Sequence, residues 1–126
     1  MDADTIPAGL EVEELWAIEA EYVADGRRRR EPYRRAHLEN FERLVREGVI
    51  VFGGALGDVE SAFIVVRVPG EAEARVLAER DVYWTSGTWT GYRVRPYALV
   101  KLRESAAGVG GGSVLTAGDV TGRQGR

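Results

Sequence analysis

The apolar residues of the chain recur with two different periods, which predict the order of its elements. In Leu15–Tyr22 every second side chain lies on the same side, as in a strand with one buried face. In Pro32–Glu47 the apolar residues recur at helical spacing, and Gly48 follows as a typical residue beyond a helix C-terminus. Val49–Phe52 is apolar at every position, which predicts a second strand ended by the next two glycines.

The rest of the chain contains two more strands and one more helix. The remaining predicted elements are a strand at Ser61–Val68, a helix at Glu71–Glu79, a connecting loop at Asp81–Gly87 and a strand at Trp89–Leu102. Residues 1–11 lack periodicity and are predicted to be a flexible leader to a folded domain at 12–103. Residues 104–126 are rich in Gly, Ser and Thr and are predicted to be a disordered tail.

This β-α-β-β-α-β order predicts an α+β fold of the ferredoxin-like kind. In that fold a four-stranded antiparallel sheet carries two helices on one face. The second and third strands are apolar on both faces, so the face without helices also needs cover. A second copy of the chain provides it, which predicts a homodimer through the open sheet face.

Composition excludes several classes of protein and site. The net charge of −3 and the pI near 5.3 argue against a nucleic-acid partner. With no cysteine and one histidine, the chain lacks the usual ligands of a metal site, and it contains no phosphate-binding or dinucleotide-binding motif, so no metal and no cofactor is predicted. No apolar run is long enough to cross a membrane, and the acidic N-terminus is unlike a signal peptide, which predicts a cytoplasmic protein without a membrane partner.

Four consecutive arginines, Arg27 to Arg30, follow Asp25 and Gly26. They fit a solvated loop, whose charge the neighbouring acidic residues balance, better than a nucleic-acid patch. One of them could also lie over a nearby pocket and hold a carboxylate or phenolate.

The single histidine, His37, lies on the same predicted helix face as Leu38, Phe41, Leu44 and Val45. An imidazole on an apolar face is either a hydrogen-bonded core residue or the centre of a site. The residues of this helix alone leave both interpretations open.

Three segments together resemble the YciI-like (YCII-related) family. R-R-A-H-L-E-N-F-E-R-L-V-R-E-G at 34–48 resembles its histidine-containing helix, and V-I-V-F-G-G-A-L-G at 49–57 resembles the strand and turn that follow. R-D-V-Y-W-T-S-G at 80–87 resembles its aspartate-containing loop and leads to Pro96 and Tyr97. Ala55 and Val82 depart from the family, which usually has proline at these positions. The resemblance implies a dimeric α+β barrel.

By the same resemblance, a His–Asp pair in a cleft between sheet and helices maps onto His37 and Asp81. It implies cofactor-free proton transfer on a small organic molecule, phenolic or lactone-type, by isomerisation, elimination, dehydration or lactone opening. The residues predicted to bind this substrate are Arg34 and Arg93, for an anionic group, and the aromatic residues Tyr83, Trp84 and Trp89. The alternative is a binding or accessory dimer without turnover, in which the pair is structural. A third interpretation is a cofactor-free monooxygenase on the same fold.

Overall fold

The computed structural model describes residues 5–104, and it confirms the ferredoxin-like α+β fold. Its elements are β1 (Leu10–Tyr22), α1 (Gly26–Arg29), α2 (Glu31–Arg46), β2 (Ile50–Leu56), β3 (Ser61–Val66), α3 (Glu71–Arg80), α4 (Val82–Thr85) and β4 (Trp89–Leu102). The four strands form one antiparallel sheet in the order β2-β3-β1-β4. The predicted tail from residue 105 onward and the first four residues of the predicted leader lie outside the described residues.

The central strand β3 pairs with β1 on one side and with β2 on the other, both antiparallel. Trp16 lies opposite Val66 in the first pairing, and Gly53 lies opposite Ile64 in the second. The β2 register shifts between Ile50 and Phe52, where the strand is irregular.

The prediction that Gly53 and Gly54 end the second strand is wrong, because β2 continues to Leu56. A Cβ atom at Gly53 would lie 3.0 Å from the Ile64 Cα and 3.0 Å from the Phe63 carbonyl oxygen. Glycine inside a strand often marks such a close approach of two backbones. The glycine here lets β2 lie against β3 and does not terminate the strand.

Two segments predicted to be loops contain short helices, and β1 begins at Leu10, earlier than predicted. Gly26 and the first three arginines of the run form α1, which starts after Asp25 in a left-handed backbone conformation (φ 62°). The segment after α3 forms α4, because the Asp81 side chain accepts a hydrogen bond from the backbone N–H of Tyr83. An aspartate at this position satisfies a donor that the first turn leaves unpaired.

Helix α2 buries a different face from the one that the apolar pattern predicts. His37 and Leu44 are its buried residues, whereas Leu38 and Val45 are 44% and 43% exposed. The face of α2 that packs on the sheet is thus centred on the line from His37 to Leu44. Leu38 and Val45 flank that line on its solvent side.

Each face of the sheet has its own apolar cluster. The cluster on the helix side joins α2, α3 and α4 to the sheet, and its larger buried members are Ile18, Leu44, Ile50, Ile64, Val66, Tyr83 and Trp89. The cluster on the opposite face has the buried residues Leu15, Ala17 and Val65, packed against Val51, Phe63, Tyr97 and Leu99.

Residues 13–99 make up one compact unit, which contains both clusters. Among the described residues, a second unit comprises residues 5–12 and 100–104. In that unit the backbone N–H of Arg103 donates to the Gly9 carbonyl oxygen, and the Lys101 ammonium lies 4.0 Å from a carboxylate oxygen of Glu11.

Candidate functional site

A buried histidine and a buried aspartate meet where α2 faces the start of α4. The Nδ1 atom of His37 lies 2.8 Å from Oδ1 and 3.0 Å from Oδ2 of Asp81. Each residue is 8% exposed. Forty-four positions separate them in the chain, and the fold brings them together because α2 and α4 pack on the same face of the sheet.

Asp81 serves two donors at once. Its Oδ1 atom accepts from the Tyr83 backbone N–H at 2.8 Å and also lies beside His37 Nδ1. An ionised carboxylate can only accept hydrogen bonds, so the Nδ1 atom of His37 carries the hydrogen. In the neutral imidazole this leaves Nε2 unprotonated and able to accept a proton.

Aromatic rings hold the imidazole of His37 in place. The Tyr83 ring stacks on it with centroids 3.8 Å apart and an angle of 10° between planes. Trp89 meets it edge-on at 5.9 Å, and Phe41 lies at 6.3 Å. With the carboxylate fixing Nδ1 and these rings fixing its plane, His37 has one orientation.

His37 is part of the wall of a cavity of about 360 Å³ between the helices and the sheet. The cavity is lined by Tyr22, Arg27, Arg30, Arg34, His37, Leu38, Phe41, Gly53, Gly54, Ala55, Gly57, Val59, Ala62, Ile64 and Tyr83. Its floor consists of small residues of β2 and β3, which leave room above the sheet. A volume of this size suits a small organic molecule.

The turn between β2 and β3 forms the part of the cavity rim that faces α1. Val59 in this turn is buried and has a left-handed backbone (φ 59°), which is unusual for a β-branched residue. A Cβ atom at Gly26 would lie 3.0 Å from the Val59 carbonyl oxygen and 2.8 Å from the Tyr22 Cβ. Glycine at position 26 thus allows α1 to approach the turn and carry its arginines to the cavity.

Three arginines line the cavity, and they differ in their partners. Arg27 donates two hydrogen bonds to Asp58, at 2.7 and 2.9 Å, which balance its charge. Arg30 is half-buried, and its Nε atom is buried without a hydrogen-bond partner among the described residues. Arg34 lies one turn further, on the exposed surface of α2 at the rim.

Tyr83 presents a second unpaired polar group. Its side chain is 1% exposed, and its hydroxyl oxygen has no hydrogen-bond partner in the described part of the chain. Burial raises the pKa of Tyr83 to about 12; nearby Tyr22 adds to the rise, and Arg30 and Arg34 oppose it. The phenol is therefore protonated at neutral pH and available as a donor.

The structure places the predicted substrate-binding residues unequally. Arg34 and Tyr83 line the cavity. Trp89 lies behind the imidazole, where it is 2% exposed and belongs to the core. Trp84 packs edge-on against Tyr92 and does not line the cavity. Arg93 does not line it either, and its guanidinium lies 2.7 Å from Glu19.

The sequence does not single out several of the cavity residues. The arginine run is predicted to be a solvated loop, with one arginine able to lie over a nearby pocket, and Arg27 and Arg30 are the two that line the cavity. The glycines of β2 are predicted to end the strand, yet they lie within it and line the cavity. Periodicity does not show where two backbones approach each other.

Within residues 5–104, no group of three or more His, Asp or Glu side chains is arranged to hold a metal ion. In the same range, none of the helices has the length and apolar character needed to span a bilayer.

Comparison with known proteins identifies the family. The family model of the YCII-related domain matches residues 15–98. A solved structure of similar fold is 5-chloro-2-hydroxyhydroquinone dehydrochlorinase from Burkholderia phenoliruptrix AC1100, in complex with 2,5-dihydroxybenzoquinone. It has a TM-score of 0.57 and 22% sequence identity, over 64% of this chain and 90% of that chain. No curated protein matches the chain significantly. Because the family model spans most of its length, the chain belongs to the YCII-related family.

Proposed function

We propose that the protein is a small cofactor-independent enzyme in which His37 transfers a proton to or from a small oxygenated organic molecule in the cavity. The observation that carries this proposal is the buried contact of His37 Nδ1 with Asp81 at the wall of a 360 Å³ cavity. A carboxylate that fixes the tautomer of an imidazole is a common way to prepare a general base.

The arrangement suits an elimination. His37 Nε2 would remove a proton from a carbon that neighbours an oxygen-bearing carbon, and the released electron pair would form a double bond. A leaving group on the adjacent carbon, such as chloride or hydroxide, would depart with the electron pair of the bond that joined it to that carbon. Asp81 would stabilise the imidazolium that results, and the imidazolium would then return its proton to solvent or to the leaving group.

The neighbouring structure supports this class of substrate. The dehydrochlorinase named above acts, as its name states, on a chlorinated hydroxyhydroquinone, and it holds a dihydroxybenzoquinone. A planar oxygenated ring also suits the cavity of the present chain, because apolar side chains such as Phe41 and Ile64 line it beside two unpaired donors. The substrate proposed here is therefore a phenolic, quinone-like or lactone-type ring.

A substrate screen with a matched pair of variants tests the proposal. Chlorinated hydroxyhydroquinones and small lactones would be incubated with the parent protein, and product formation would be followed by absorbance. His37→Gln should reduce any turnover by about 10²- to 10⁴-fold, the usual contribution of a positioned base. Arg35→Gln, on the exposed surface of the same helix, should retain it. A His37→Gln variant as active as the parent would refute the role of the histidine.

A second candidate is a binding protein without turnover. It is favoured by the depth of His37, which is 8% exposed and stacked on Tyr83, as a structural hydrogen-bonding residue would be. In that case His37→Gln would lower the free energy of unfolding, and neither the parent nor the variant would form product from a bound ligand. The two functions differ in whether any substrate is consumed.

We propose further that two copies assemble through the open sheet face. Phe52 is 40% exposed there, and its ring lies beside those of Phe63 and Tyr97, at 6.3 and 5.9 Å. An apolar cluster on an open sheet is typical of a surface covered by a partner. In the same unit, the Glu19 Oε1 atom lies 2.7 Å from the Nε atom of Arg93 and 3.2 Å from the Nε atom of Arg95.

A further inference from the structure

We infer that Arg30 and the hydroxyl of Tyr83 form a subsite for an anionic oxygen, so that the substrate is a planar ring compound bearing a phenolate, enolate or carboxylate. This inference rests on the proposed function for the location of the chemistry and adds the charge of the substrate. It assigns binding, not catalysis, to Arg30.

Two of the buried donors without acceptors belong to residues of the cavity wall. Among the described residues, three buried side-chain donors have no hydrogen-bond partner: Arg30 Nε, the Tyr83 hydroxyl and Trp89 Nε1. Leaving a buried donor unpaired is costly, so each such group calls for a partner such as a water molecule or a ligand. Arg30 and Tyr83 line the same cavity, whereas Trp89 does not, so a ligand bound there can be the partner of the first two.

The charge of the cavity also favours an anion. No carboxylate of residues 5–104 is among the lining side chains, whereas three guanidinium groups are. Asp58 balances Arg27, and Asp25 balances the neighbouring Arg28, which lies outside the lining. The charges of Arg30 and Arg34 have no carboxylate partner in the described ion pairs. The cavity therefore carries positive charge that an anion would balance.

The chemistry of these two donors favours a negatively charged oxygen. A guanidinium N–H can donate but cannot accept, and the Tyr83 phenol is protonated at neutral pH. Two donors that line one cavity, one of them charged, are complementary to an oxygen with negative charge and make charge-assisted hydrogen bonds to it. A neutral ketone or ether oxygen would pair the donors but leave the guanidinium charge unbalanced. The arrangement thus favours the ionised ring over its neutral analogue.

Calorimetric titration with 2,5-dihydroxybenzoquinone and with its neutral dimethyl ether tests this inference. The hydroxyl groups of the first compound ionise at neutral pH, whereas the ether carries no charge. The parent should bind the anion at least tenfold more tightly. Arg30→Gln should weaken anion binding by about 10- to 100-fold and Tyr83→Phe by about fivefold, and neither should change binding of the ether by more than about threefold.

Arg29→Gln is the matched control, because Arg29 is the adjacent arginine, is exposed and does not line the cavity. It should bind both compounds as the parent does. Circular dichroism of each variant would establish that it is folded. If Arg30→Gln unfolds, Arg30→Lys takes its place; this variant keeps the charge and should retain part of the parent's affinity for the anion. Equal affinity for the two compounds, no binding of the anion, or unchanged anion affinity in Arg30→Gln and Arg30→Lys would overturn the subsite.

The outcome is separable from that of the proposed function. Charge-dependent binding without turnover of any screened substrate would support the subsite and contradict the enzyme. Turnover that depends on His37 but not on the charge at position 30 would support the enzyme and overturn the subsite.

Discussion

The Asp81 carboxylate holds two parts of the site together, so its removal should destabilise the fold by an amount that can be worked from its contacts. It accepts from the Tyr83 backbone N–H at 2.8 Å and lies 2.8 and 3.0 Å from His37 Nδ1. Loss of a helix cap costs about 1 kcal/mol. Leaving a buried imidazole N–H without an acceptor costs about 1–3 kcal/mol more. Asp81→Ala should therefore lower the free energy of unfolding by roughly 2–4 kcal/mol.

Asp81→Asn separates the charge of Asp81 from its hydrogen bonds. The amide oxygen can still accept from the Tyr83 N–H, so the cap is retained. At the Oδ1 position this oxygen also lies 2.8 Å from His37 Nδ1 and can accept from it, while the amide nitrogen replaces Oδ2. This variant should lose only about 1 kcal/mol of stability, yet it removes the negative charge that would stabilise an imidazolium at His37.

Urea denaturation followed by tryptophan fluorescence measures both variants against the parent. Asp58→Asn is the matched control, since its carboxylate pairs with Arg27 on the surface and should contribute at most about 1 kcal/mol. If Asp81→Ala loses less than about 1 kcal/mol, or no more than Asp58→Asn does, the contacts of Asp81 do not hold α2 to α4 as described.

Three further predictions concern other parts of the molecule. Gly26→Ala should lower the free energy of unfolding by about 1–3 kcal/mol, because its Cβ atom would lie 2.8 Å from that of Tyr22, whereas Gly91→Ala, with no atom within 4 Å of its Cβ, should change it little in the same urea assay. The raised pKa of Tyr83, about 12, means that the folded state keeps its phenol proton at pH values where the unfolded state loses it. Stability from this group is therefore full below pH 10 and falls as the pH rises to about 12. In the same urea assay Tyr83→Phe should lose less stability than the parent over this range, and an equal loss in both proteins would contradict the assignment. Phe52→Glu should convert a dimer into monomers in sedimentation velocity; a variant that stays dimeric would rule out the open sheet face as the interface.

The sequence predicted the elements that depend on local pattern. The alternation in β1, the helical period of α2 and the terminal strand β4 depend on neighbouring residues, and these elements lie where the pattern placed them, apart from the earlier start of β1. The resemblance to the family also paired His37 with Asp81, and the structure places their side chains in contact. The catalytic roles of these two residues stay a prediction.

Features that depend on tertiary contact could not be predicted from pattern. Gly53 has the chemistry of a turn residue, yet the proximity of β3 keeps it within a strand. Of the four consecutive arginines, Arg27 and Arg30 line the cavity and the two between them do not, which their shared residue type does not show. Trp84 and Arg93 have residue types suited to a ring-shaped anion, but their positions remove them from the cavity.

The position of the hydrogen on the single histidine decides whether Asp81 orients it as a base. Nitrogen NMR of the ring, at a pH where the imidazole is neutral, reports which nitrogen carries the hydrogen, and one histidine makes the assignment unambiguous. We expect a protonated Nδ1 and an unprotonated Nε2 for His37 in the parent, and loss of this preference in Asp81→Ala, which leaves Nδ1 without its acceptor. A parent with its hydrogen on Nε2, or a tautomer that Asp81→Ala leaves unchanged, would contradict the assignment of His37 as a base oriented by Asp81.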